Sequence, residues 1–493
     1  MIDNVVERIS NLNFKELFIY DDISEVNYTY NEFFAQALDV ASYIENSVPS
    51  DSMIVVMENS YELALLYFSV MLTNKRMLVI DPQKGQEEIL SIINDIEDTV
   101  LFIDERLNME FFIKHNILNF PKNRFAYNEI KDIKKEIIHK LQMRSSSKAY
   151  LVTFTSGTSG ITKGVEHTLD NLFFTALALD DKVHKNYGTF LHVMPMTYMA
   201  GILNSLIYPF LAGVRIVITK RFSIISARCF WNTVIKYNVD LFWLSPSMLM
   251  MINQMDRKND GENYCKNKEL VFLIGTAPLT NELRKTFNNR YGVTVFASYG
   301  LSETLFISVE TIESLRRSKE NSVGELLPGV EYIINNDGEM YLKVPWMFLG
   351  YTNENTSEYF DGEYYKSGDL ALLDDGCLYI TGRSKDLIIK GGMNISPALI
   401  EYVVLKNKDI LECVVIGVKD STGEEKVCCT YRLKNKVDDK NLFETGLKKL
   451  VLDELGKNYT IDYVWQLDEI PRNINGKIDK NILRENWRAC NGK

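Results

Sequence analysis

Hydroxyl-bearing residues and glycines crowd one short run of the chain that ends beside a single cation. The run is Thr155-Ser156-Gly157-Thr158-Ser159-Gly160-Ile161-Thr162-Lys163-Gly164. Glycines permit positive φ and close backbone approach, so N–H groups and hydroxyls can face anionic oxygens, and Lys163 adds a positive charge. These residue types in this order predict a loop that handles the phosphates of a nucleotide.

The spacing around Lys163 excludes one common phosphate loop. A Walker A motif needs Gly immediately before its Lys and Ser or Thr immediately after it, whereas the neighbours here are Thr162 and Gly164. A flexible linker and a different phosphate loop both remain open. The apolar run at residues 149–154, which predicts a strand, and the helix-like apolar spacing of residues 169–179 favour the phosphate loop.

A second polar cluster, Ser298-Tyr299-Gly300-Leu301-Ser302-Glu303-Thr304, follows a predicted buried strand. Sheets of α/β proteins bind ligands at the carboxyl ends of their strands, so we expect the Tyr299 ring and the Glu303 carboxylate near a ligand. One carboxylate there suits Mg²⁺ on a polyphosphate. The alternative is the start of a helix that Ser302 or Thr304 caps.

Three further charged residues, Asp369, Arg383 and Lys477, each follow a glycine directly. A carboxylate can accept hydrogen bonds from both hydroxyls of a sugar diol, and a guanidinium can donate in a fork to a ribose or a phosphate. Taken singly, each of the three also fits an ordinary solvated turn.

The elements that must position these residues alternate in type from residue 28 to about residue 130. Helices predicted at 31–45 and 61–72 alternate with strands at 53–57, 77–80 and 100–103, which indicates a parallel sheet flanked by helices. Later short apolar runs predict strands at 190–193, 215–218, 241–244, 270–274 and 293–297. After about residue 320, Asp-Gly turns between apolar runs indicate hairpins. A polar stretch near Arg383 predicts a boundary between domains 1–383 and 384–493.

Composition narrows the class of protein. The 493-residue chain has a formal net charge of −11, which argues against nucleic-acid binding because that function needs a basic face. The N-terminus lacks the basic start and apolar core of a signal peptide, and no apolar stretch is long enough to span a bilayer. The seven cysteines are odd in number and lack metal-ligand spacing. We therefore expect a cytoplasmic protein.

The ordered motifs resemble, over nearly the whole chain, the adenylate-forming (ANL) superfamily of acyl-CoA synthetases, peptide-synthetase adenylation domains and firefly luciferase. The resemblance rests on TSGTSGITKG, YGLSE, YKSGDL, GRSKDLIIKGGMNISP and PRNINGKIDK. It implies an α/β fold with a large N-terminal domain of α/β subdomains plus a β-rich subdomain, and a small mobile α+β C-terminal domain. It also implies ATP-dependent conversion of a carboxylic acid to acyl-AMP and pyrophosphate, followed by transfer of the acyl group to a thiol.

The resemblance implies a role for each matching residue. Lys477, Glu303 and Thr304 would be catalytic, and Glu303 would also bind Mg²⁺. ATP and AMP would be bound by Thr155, Ser156, Gly157, Thr158, Ser159, Lys163, Gly275, Thr276, Ala277, Pro278, Ser298, Tyr299, Gly300, Asp369 and Arg383. Lys385 matches the hinge before the C-terminal domain, and Gly391 and Gly392 match residues beside the thiol tunnel.

The acyl pocket would be lined by Tyr198, Met199, Gly201 and Ser245, with Tyr198 standing where many acyl-CoA synthetases have His. Amino-acid-activating members place an Asp shortly after the phosphate loop, whereas residues 192–201 contain no carboxylate. Because an ammonium buried without a partner is costly, we do not expect an α-amino acid as substrate. The sequence predicts a small or medium apolar acid.

The acyl acceptor is open between two thiols, that of CoA and that of phosphopantetheine on a holo acyl carrier protein. We expect an acyl-CoA synthetase, with a stand-alone carrier-protein ligase as the alternative. A non-catalytic nucleotide-binding scaffold is disfavoured because the charged residues of all the motifs are present, namely Lys163, Glu303, Asp369, Arg383 and Lys477. The sequence leaves the oligomeric state open.

Overall fold

The computed structural model describes residues 2–96, 100–103, 116–118, 132–156, 162–183, 187–352, 354–420, 423–472 and 478–491. Residue contacts divide the chain into two units. The N-terminal unit comprises Met1–Glu331 and Lys343–Phe360, and the C-terminal unit comprises Tyr332–Leu342 and Asp361–Lys493. Each unit buries apolar clusters of its own, which lie between its sheets and helices.

The helices of the described residues are α1 (Ile2–Asn11), α2 (Tyr30–Ser47), α3 (Tyr61–Val70), α4 (Gln86–Asn94), α5 (Ile133–Met143), α6 (Leu169–Val183), α7 (Tyr208–Leu211), α8 (Ile224–Lys236), α9 (Pro246–Met255), α10 (Asp260–Lys266), α11 (Asn281–Tyr291), α12 (Ile312–Arg317), α13 (Pro397–Val404), α14 (Lys440–Leu455) and α15 (Lys480–Asn491). A π-helical segment covers Ala200–Ile207, and short 3-10 turns cover Thr356–Tyr359, Ser384–Asp386 and Lys457–Tyr459.

The strands of the same residues are β1 (Leu17–Asp21), β2 (Val26–Thr29), β3 (Ser52–Val56), β4 (Arg76–Ile80), β5 (Val100–Ile103), β6 (Asn116–Leu118), β7 (Ala149–Ser156), β8 (Thr162–Thr168), β9 (Thr189–His192), β10 (Arg215–Ile218), β11 (Leu241–Leu244), β12 (Val271–Ile274), β13 (Val295–Leu301), β14 (Leu305–Val309), β15 (Ser322–Leu326), β16 (Glu331–Ile334), β17 (Glu339–Lys343), β18 (Gly350–Tyr351), β19 (Phe360–Asp361), β20 (Tyr364–Asp374), β21 (Cys377–Arg383), β22 (Ile388–Lys390), β23 (Met393–Ile395), β24 (Ile410–Lys419), β25 (Glu425–Leu433) and β26 (Tyr463–Gln466).

One sheet of the N-terminal unit has the strand order β18-β8-β7-β4-β3-β5-β6. Strands β7, β4, β3, β5 and β6 run parallel, as the alternation of strands and helices predicts, and the central strands β3 and β4 have buried interior positions. Strands β8 and β18 then extend this sheet in antiparallel fashion at the β7 edge.

The second run of strands in this unit follows the order β15-β14-β13-β12-β11-β9-β10-β1-β2. Its centre, from β13 to β1, is parallel, while β2, β14 and β15 add antiparallel pairs at the two ends. The antiparallel pairing of β13 with β14 begins at Leu305, before the position near residue 320 at which the sequence predicts hairpins.

The C-terminal unit is built mostly from hairpins. Strand β20 pairs antiparallel with both β17 and β21, and β22 and β23 form a small hairpin of their own. A third sheet joins β24 and β25 antiparallel and β26 parallel, with α13 and α14 packed on its apolar side chains. Cys428 and Cys429 are both buried in this sheet and belong to its core.

Local sequence explains why α2 begins where it does. The Thr29 side chain accepts a hydrogen bond from Glu32 N, and the Glu32 carboxylate accepts one from Thr29 N at 2.8 Å. This reciprocal pair satisfies two N–H groups that a helix start leaves unpaired. The helix then buries one face, including Phe33 and Phe34, against the aromatic residues Phe18 and Phe68.

Candidate active site

The phosphate-loop motif lies at a hairpin of the first sheet. Strands β7 and β8 pair antiparallel with Thr155 opposite Lys163 and Ser156 opposite Thr162. The sequence predicts a strand, a loop and then the helix at Leu169, but a complete second strand, β8, precedes that helix. Its residues alternate polar and apolar only weakly, which is why the sequence does not reveal it. Of the predicted loop residues, Gly157, Thr158 and Ser159 lie outside the described residues.

Lys163 is held by side chains from the segment that follows β18. Its Nζ lies 2.6 Å from Glu354 Oε2, forms a short hydrogen bond with the Tyr359 hydroxyl, and sits 4.4 Å from the centre of the Tyr359 ring. Burial opposes the charged ammonium, but the bonds to Glu354 and Tyr359 outweigh it and raise the pKa of Lys163. Lys163 is therefore a cation with a fixed position.

The approach of β18 to β8 explains the glycine after Lys163. Gly350 pairs with Glu166 and Tyr351 with Val165, and Thr352 N donates to Gly164 O at 2.9 Å. A Cβ on Gly164 would lie 2.4 Å from Thr352 Oγ1. Glycine at this position is therefore required for the strand that brings Glu354 and Tyr359 to Lys163.

The YGLSE motif occupies the hairpin between β13 and β14. Strand β13 extends through Tyr299 to Leu301, and Gly300 permits the close turn because a Cβ there would lie 2.1 Å from Leu305 O. Ser298 Oγ donates to Ile274 O at 3.0 Å. The alternative prediction of a helix start capped by Ser302 or Thr304 is wrong, because these residues form the turn of a hairpin.

Glu303 and Thr304 differ in exposure. Glu303 is half-buried, and its Oε1 accepts a 2.7 Å hydrogen bond from the Tyr351 hydroxyl. Thr304 is fully buried; its carbonyl accepts from Trp346 Nε1 at 2.8 Å, while its Oγ1 has no hydrogen-bond partner within the described part of the chain. Tyr351 thus connects the Glu303 carboxylate with the aromatic surroundings of Lys163.

His167 fixes the turn that carries Glu303. This buried imidazole places Nε2 2.7 Å from Ser302 O, and because a carbonyl only accepts, Nε2 carries the proton. Burial lowers the pKa of His167 to about 4, so the ring is neutral at physiological pH. Asn171, one helical turn on, donates to Met347 O at 2.8 Å and joins α6 to the same region.

The segment Gly275 to Pro278 follows β12 directly. Gly275 N donates to Leu244 O at 3.1 Å, and a Cβ at Gly275 would lie 2.8 Å from Ser298 Oγ. Thr276 has a φ of +69°, a left-handed conformation that is uncommon for a non-glycine residue. Ala277 and Pro278 are exposed. The structure thus brings this segment beside the start of the YGLSE motif.

The predicted acyl-pocket residues are mostly buried. Met199 is buried and Tyr198 half-buried in the turn before the π-helical segment. A Cβ at Gly201 would lie 1.8 Å from Pro195 O, so this glycine is required by the turn. Ser245 caps α9 by accepting from Met248 N at 3.3 Å. A helix cap accounts for Ser245 without any ligand.

In the C-terminal unit, Asp369 and Arg383 form a pair across β20 and β21. Arg383 Nε lies 2.9 Å from Asp369 Oδ1, and the two residues are opposite each other in the register. The Asp369 side chain is 3% exposed whereas that of Arg383 is 48% exposed. Asp369 follows Gly368, whose φ of +71° bends β20 at this point.

Lys385 lies in the 3-10 turn that follows Arg383. Burial, together with the Arg383 charge, lowers the pKa of Lys385. The next residue, Asp386, pairs with Lys480 at 3.1 Å; burial opposes its ionisation, but the Lys480 ammonium outweighs burial and lowers the carboxyl pKa. The residue after the predicted hinge is therefore tied to the first residue of α15.

Gly391 and Gly392 form the tip of the β22–β23 hairpin. Both are exposed and have positive φ, and a Cβ at either would meet no atom within 4 Å. The glycines are therefore explained by backbone conformation, since side chains rarely adopt this region.

Lys477 lies outside the described residues. The chain on either side of it is paired, with Arg472 bridged to Ile478 and Asp479 N donating to Pro471 O at 2.9 Å. The Glu412 carboxylate forms ion pairs with two arginines. Oε1 pairs closely with Arg472, and Oε2 lies 2.9 Å from Arg432 Nη1.

Two family models match the chain. Residues 13–352 match the model described as AMP-binding enzyme, and residues 399–477 match the AMP-binding enzyme C-terminal domain. The chain belongs to the AMP-binding enzyme family. The predicted membership of the adenylate-forming superfamily and the predicted α/β fold with its small C-terminal domain are confirmed.

Relatives of this AMP-binding enzyme match it over most of its length. It is 25% identical over 483 residues to the 2-succinylbenzoate–CoA ligase of Bacillus subtilis, covering 95% of this chain and 94% of that protein. It is 26% identical over 447 residues to a malonate–CoA ligase of Arabidopsis thaliana, covering 81% and 72%. The predicted enzyme class, an AMP-forming acid–thiol ligase that forms an acyl-AMP and then a thioester, is confirmed.

Solved structures share the fold of the AMP-binding enzyme. ATP-bound MatB from Rhodopseudomonas palustris superposes with a TM-score of 0.84 at 22% identity, covering 99% of this chain and 100% of that one. The o-succinylbenzoate CoA synthetase MenE of Bacillus subtilis, in complex with ATP and magnesium ion, gives 0.78 at 22% identity with 98% of each chain covered.

Glu303 of this AMP-binding enzyme fits a magnesium ion that is carried by a nucleotide. Among the described residues there is no group of three or more His, Cys, Asp or Glu side chains that could hold a metal. Glu303 offers a single carboxylate, and Mg²⁺ commonly binds one or two carboxylates plus substrate phosphates. When bound, such an ion would neutralise phosphate charge.

Four residues of the site have no counterpart in the sequence prediction: His167, Tyr351, Glu354 and Tyr359. The clearest signal of these residues in the sequence is Gly350. In the structure its φ of +150° bends the chain immediately before Tyr351. The density of Tyr and Glu after this glycine is visible in the sequence, but its pairing with β8 is a long-range contact that no local pattern shows.

Proposed function

We propose that this enzyme converts a small or medium apolar carboxylic acid and ATP into an acyl-AMP and then into an acyl-CoA. In the first step a carboxylate oxygen bonds to the α-phosphorus and pyrophosphate leaves. In the second step the CoA sulfur bonds to the acyl carbon, its proton is lost and AMP leaves. The observation that carries the proposal is that Tyr351 connects a fixed cation with a carboxylate in a chain of this family. Its ring centre lies 5.2 Å from Lys163 Nζ, and its hydroxyl donates to Glu303 Oε1 at 2.7 Å.

Each residue has a proposed task in the first step. Lys163 and the loop before it bind the β- and γ-phosphates, while Glu303 binds the Mg²⁺ that neutralises them. Thr304 donates to the α-phosphate; its buried Oγ1, which has no partner in the described residues, supports this task. Lys477 bridges the acid's carboxylate and the α-phosphate as charge develops, since preorganised charge is worth most there.

The nucleoside has separate proposed contacts. Tyr299 packs on adenine, with Ser298, Gly300 and the segment Gly275 to Pro278 beside it. Asp369 accepts from the ribose hydroxyls and Arg383 assists it; their 2.9 Å ion pair supports a shared task, because it holds the carboxylate in one orientation.

The C-terminal residues serve the second step in this proposal. Lys385 is the hinge between residues 1–383 and 384–493, and Gly391 and Gly392 lie beside the thiol tunnel. The exposed, positive-φ glycines support this, because backbone without side chains can lie close to a narrow ligand.

The apolar nature of the acid is supported by the segment before the π-helix. Met194, Met196 and Met199 are buried there, and no carboxylate occurs within residues 192–201. An ammonium would therefore lack a counter-charge from this segment. CoA is proposed as the acceptor because relatives that match this chain over most of their own length are named CoA ligases. A holo acyl carrier protein is the alternative.

The test is acid-dependent pyrophosphate release followed by mass detection of the thioester. Each α-amino acid is assayed beside its counterpart without the amino group, for example leucine beside 4-methylpentanoate, so that only the ammonium differs. We expect release with the apolar acids and little with the amino acids. Pyrophosphate release with amino acids alone would refute the proposed substrate class.

The acceptor is tested in the same assay by supplying either CoA or a holo carrier protein. A thioester mass with CoA supports the proposal, and a thioester formed only on the carrier would replace it by the alternative. None of the described helices is long and apolar enough to cross a bilayer. A cytoplasmic location is part of the proposal, supported by the seven cysteines, none of which forms a disulfide bond in the structure.

A further inference from the structure

A short edge segment supplies every side-chain partner of Lys163 described above. The segment comprises residues 350–352 and 354–359, and we call it the 350–359 segment. It begins as strand β18, whose residues Gly350 and Tyr351 pair antiparallel with Glu166 and Val165 of β8. Lys163 lies in β8 as well, so the pairing brings the segment past this lysine.

The segment occupies the lysine ammonium in a defined way. Nζ bonds to Glu354 Oε2 and to the Tyr359 hydroxyl, and Tyr359 in turn donates to Glu354 Oε2 at 2.5 Å. The three groups therefore form a closed triangle. An ammonium has three N–H donors, so these two partners leave one for a further acceptor.

Two aromatic rings complete the surroundings of the ammonium. Nζ lies 4.4 Å from the Tyr359 ring centre and 5.2 Å from that of Tyr351, distances at which a ring face attracts a cation. The two rings pack on each other at 4.9 Å. With the Lys163 side chain 12% exposed, the ammonium has few alternative positions.

The same segment orients the carboxylate of the YGLSE turn. The Tyr351 hydroxyl donates to Glu303 Oε1 at 2.7 Å. Just before the segment, Phe348 N donates to the Glu303 carbonyl at 3.0 Å. Tyr351 therefore contacts both the cation and the carboxylate. This hydrogen bond occupies Oε1 of Glu303, so Oε2 is the carboxylate oxygen that would bind Mg²⁺.

The backbone of the segment is itself fixed. Gly350 has a φ of +150°, and a Cβ there would lie 2.8 Å from Thr356 Oγ1. That hydroxyl oxygen accepts a 3.0 Å hydrogen bond from Tyr351 N, so the turn folds back on the strand. Tyr351 lies at the start of this turn, and Tyr359 ends the 3-10 turn that begins at Thr356.

We propose that the 350–359 segment preorganises the residues that bind MgATP, with Glu354 and Tyr359 as positioning residues for Lys163 and Tyr351 as the positioning residue for Glu303. This inference rests on the proposed function, since it takes Lys163 and Glu303 as the groups that meet the phosphates and Mg²⁺. A lysine on a flexible four-carbon stem loses many conformations when it binds a phosphate. The segment removes those conformations before the nucleotide arrives.

The direction in which Glu354→Gln changes the affinity for MgATP distinguishes a positioning role of Glu354 from a simple effect of its charge. If only net charge mattered, Glu354→Gln would remove an anion from beside the phosphates and MgATP would bind more tightly. If Glu354 positions Lys163, the same change frees the ammonium and MgATP binds less tightly. The glutamine keeps the size of the side chain, so packing changes little.

The experiment measures equilibrium binding of the Mg²⁺ complex of α,β-methylene-ATP by titration calorimetry, without any turnover. We expect Lys163→Gln to weaken binding about tenfold, because a charge-assisted hydrogen bond is lost. Glu354→Gln and Tyr359→Phe should each weaken it roughly three- to tenfold. In the Lys163→Gln background, Glu354→Gln should change nothing further, because its target is gone.

A matched control is Glu325→Gln. Glu325 also pairs with a lysine, Lys182, at 2.8 Å, and its side chain is 16% exposed, but it lies in β15 and is given no task here. This variant should bind the analogue like the unaltered protein. The melting temperature of every variant without ligand shows whether the fold is intact.

The outcomes separate the two levels of inference. If Lys163→Gln binds the analogue normally, the phosphate task of Lys163 is refuted and the positioning proposal with it. If Lys163→Gln is weakened but Glu354→Gln binds normally or more tightly, the positioning proposal alone is refuted. A Glu354→Gln effect that persists in the Lys163→Gln background would also refute it.

Tyr351 is tested through the metal. At fixed analogue, Tyr351→Phe removes only the hydroxyl that bonds Glu303, so we expect the half-saturating Mg²⁺ concentration to rise about threefold or more, the scale of one hydrogen bond to a charged group. An unchanged Mg²⁺ dependence in a variant with a normal melting temperature would overturn the task of Tyr351.

Discussion

Gly164→Ala is the substitution whose effect the structure defines most closely. An added Cβ would lie 2.4 Å from Thr352 Oγ1, 3.0 Å from Val152 Cγ1 and 3.1 Å from Phe154 Cε1. Thr352 N donates to Gly164 O, so the two strands are also joined by backbone at this point. The new methyl group must therefore push β18 away from β8.

The magnitude follows from overpacking in a buried sheet. Inserting a methyl group into a packed site costs about 1–3 kcal/mol, and the 2.4 Å contact places Gly164→Ala toward the upper end. Thr352 is β-branched and stiff at its first side-chain torsion, so rotation offers limited relief. Because β18 carries Tyr351 and leads to Glu354, we also expect a raised KM for MgATP.

A companion variant makes the reasoning testable. Thr352 Oγ1 is buried and has no partner in the described residues, so Thr352→Ala removes an unsatisfied hydroxyl at little cost. In the Thr352→Ala background the closest clash disappears, and the loss caused by Gly164→Ala should fall by roughly half. The coupling between the two sites should be about 1 kcal/mol.

Urea unfolding measures the stabilities, and pyrophosphate release at varied MgATP measures KM. Strictly additive losses in the double variant would show that the Thr352 hydroxyl is not what excludes a side chain at position 164. A normal KM in a clearly destabilised Gly164→Ala variant would show that displacing β18 does not reach the nucleotide site.

Further predictions concern the C-terminal motifs and pH. Lys477→Ala should lower adenylation by about 10²–10³ while sparing thiolation of preformed acyl-AMP; equal loss of both half-reactions, measured separately, would contradict the role of Lys477. Lys385→Pro should impair thiolation more than adenylation because it stiffens the hinge, and an earlier failure of pyrophosphate release would argue against that assignment. Burial lowers the pKa of both His167 and His192 to about 4 from 6.5. Since the unfolded imidazoles bind protons first, stability should be full above about pH 6.5 and fall toward pH 4, by at most about 1.4 kcal/mol per pH unit for each histidine. Urea midpoints that stay constant from pH 7 to pH 5 would contradict this.

Much of the parallel sheet architecture could be predicted because its strands are short, buried and separated by helices. Residues 53–57 and 77–80 predict strands, and the structure has them at Ser52–Val56 and Arg76–Ile80. Helix α2 begins one residue before its predicted start, at a capping pair that the sequence displays. Local pattern suffices where an element's own residues decide its conformation.

The hairpins could be predicted less well. Strand β8 contains Lys163, Gly164 and Glu166, which do not form an apolar pattern, and it is a strand because β7 and β18 pair with it on both sides. The turn after Leu301 has the residue types of a helix start, but β14 returns along β13. Tertiary pairing overrides local preference at both places.

Some residues of the candidate site can be recognised from the sequence and others cannot. Glu303 and Asp369 stand out in sequence because they belong to glycine-containing motifs that occur in a fixed order. Glu354 and Tyr359 do not stand out, because their importance comes from long-range contacts with Lys163. Tyr359 is 196 positions away from Lys163 in the sequence. Ser245, predicted to line the acyl pocket, also serves as an ordinary helix cap, a role that the resemblance to the family does not reveal.

The pairing of β7 with β8 constrains which sequence changes the phosphate-loop motif can accept over evolutionary time. Successive residues of a strand face opposite sides of its sheet, so a residue inserted between Lys163 and Gly164 would turn Lys163 away from Glu354. Substitutions at residues 157–161 do not shift the register in this way. Among homologues, substitutions should therefore be more frequent before Thr162, whereas insertions and deletions within β8 should be rare.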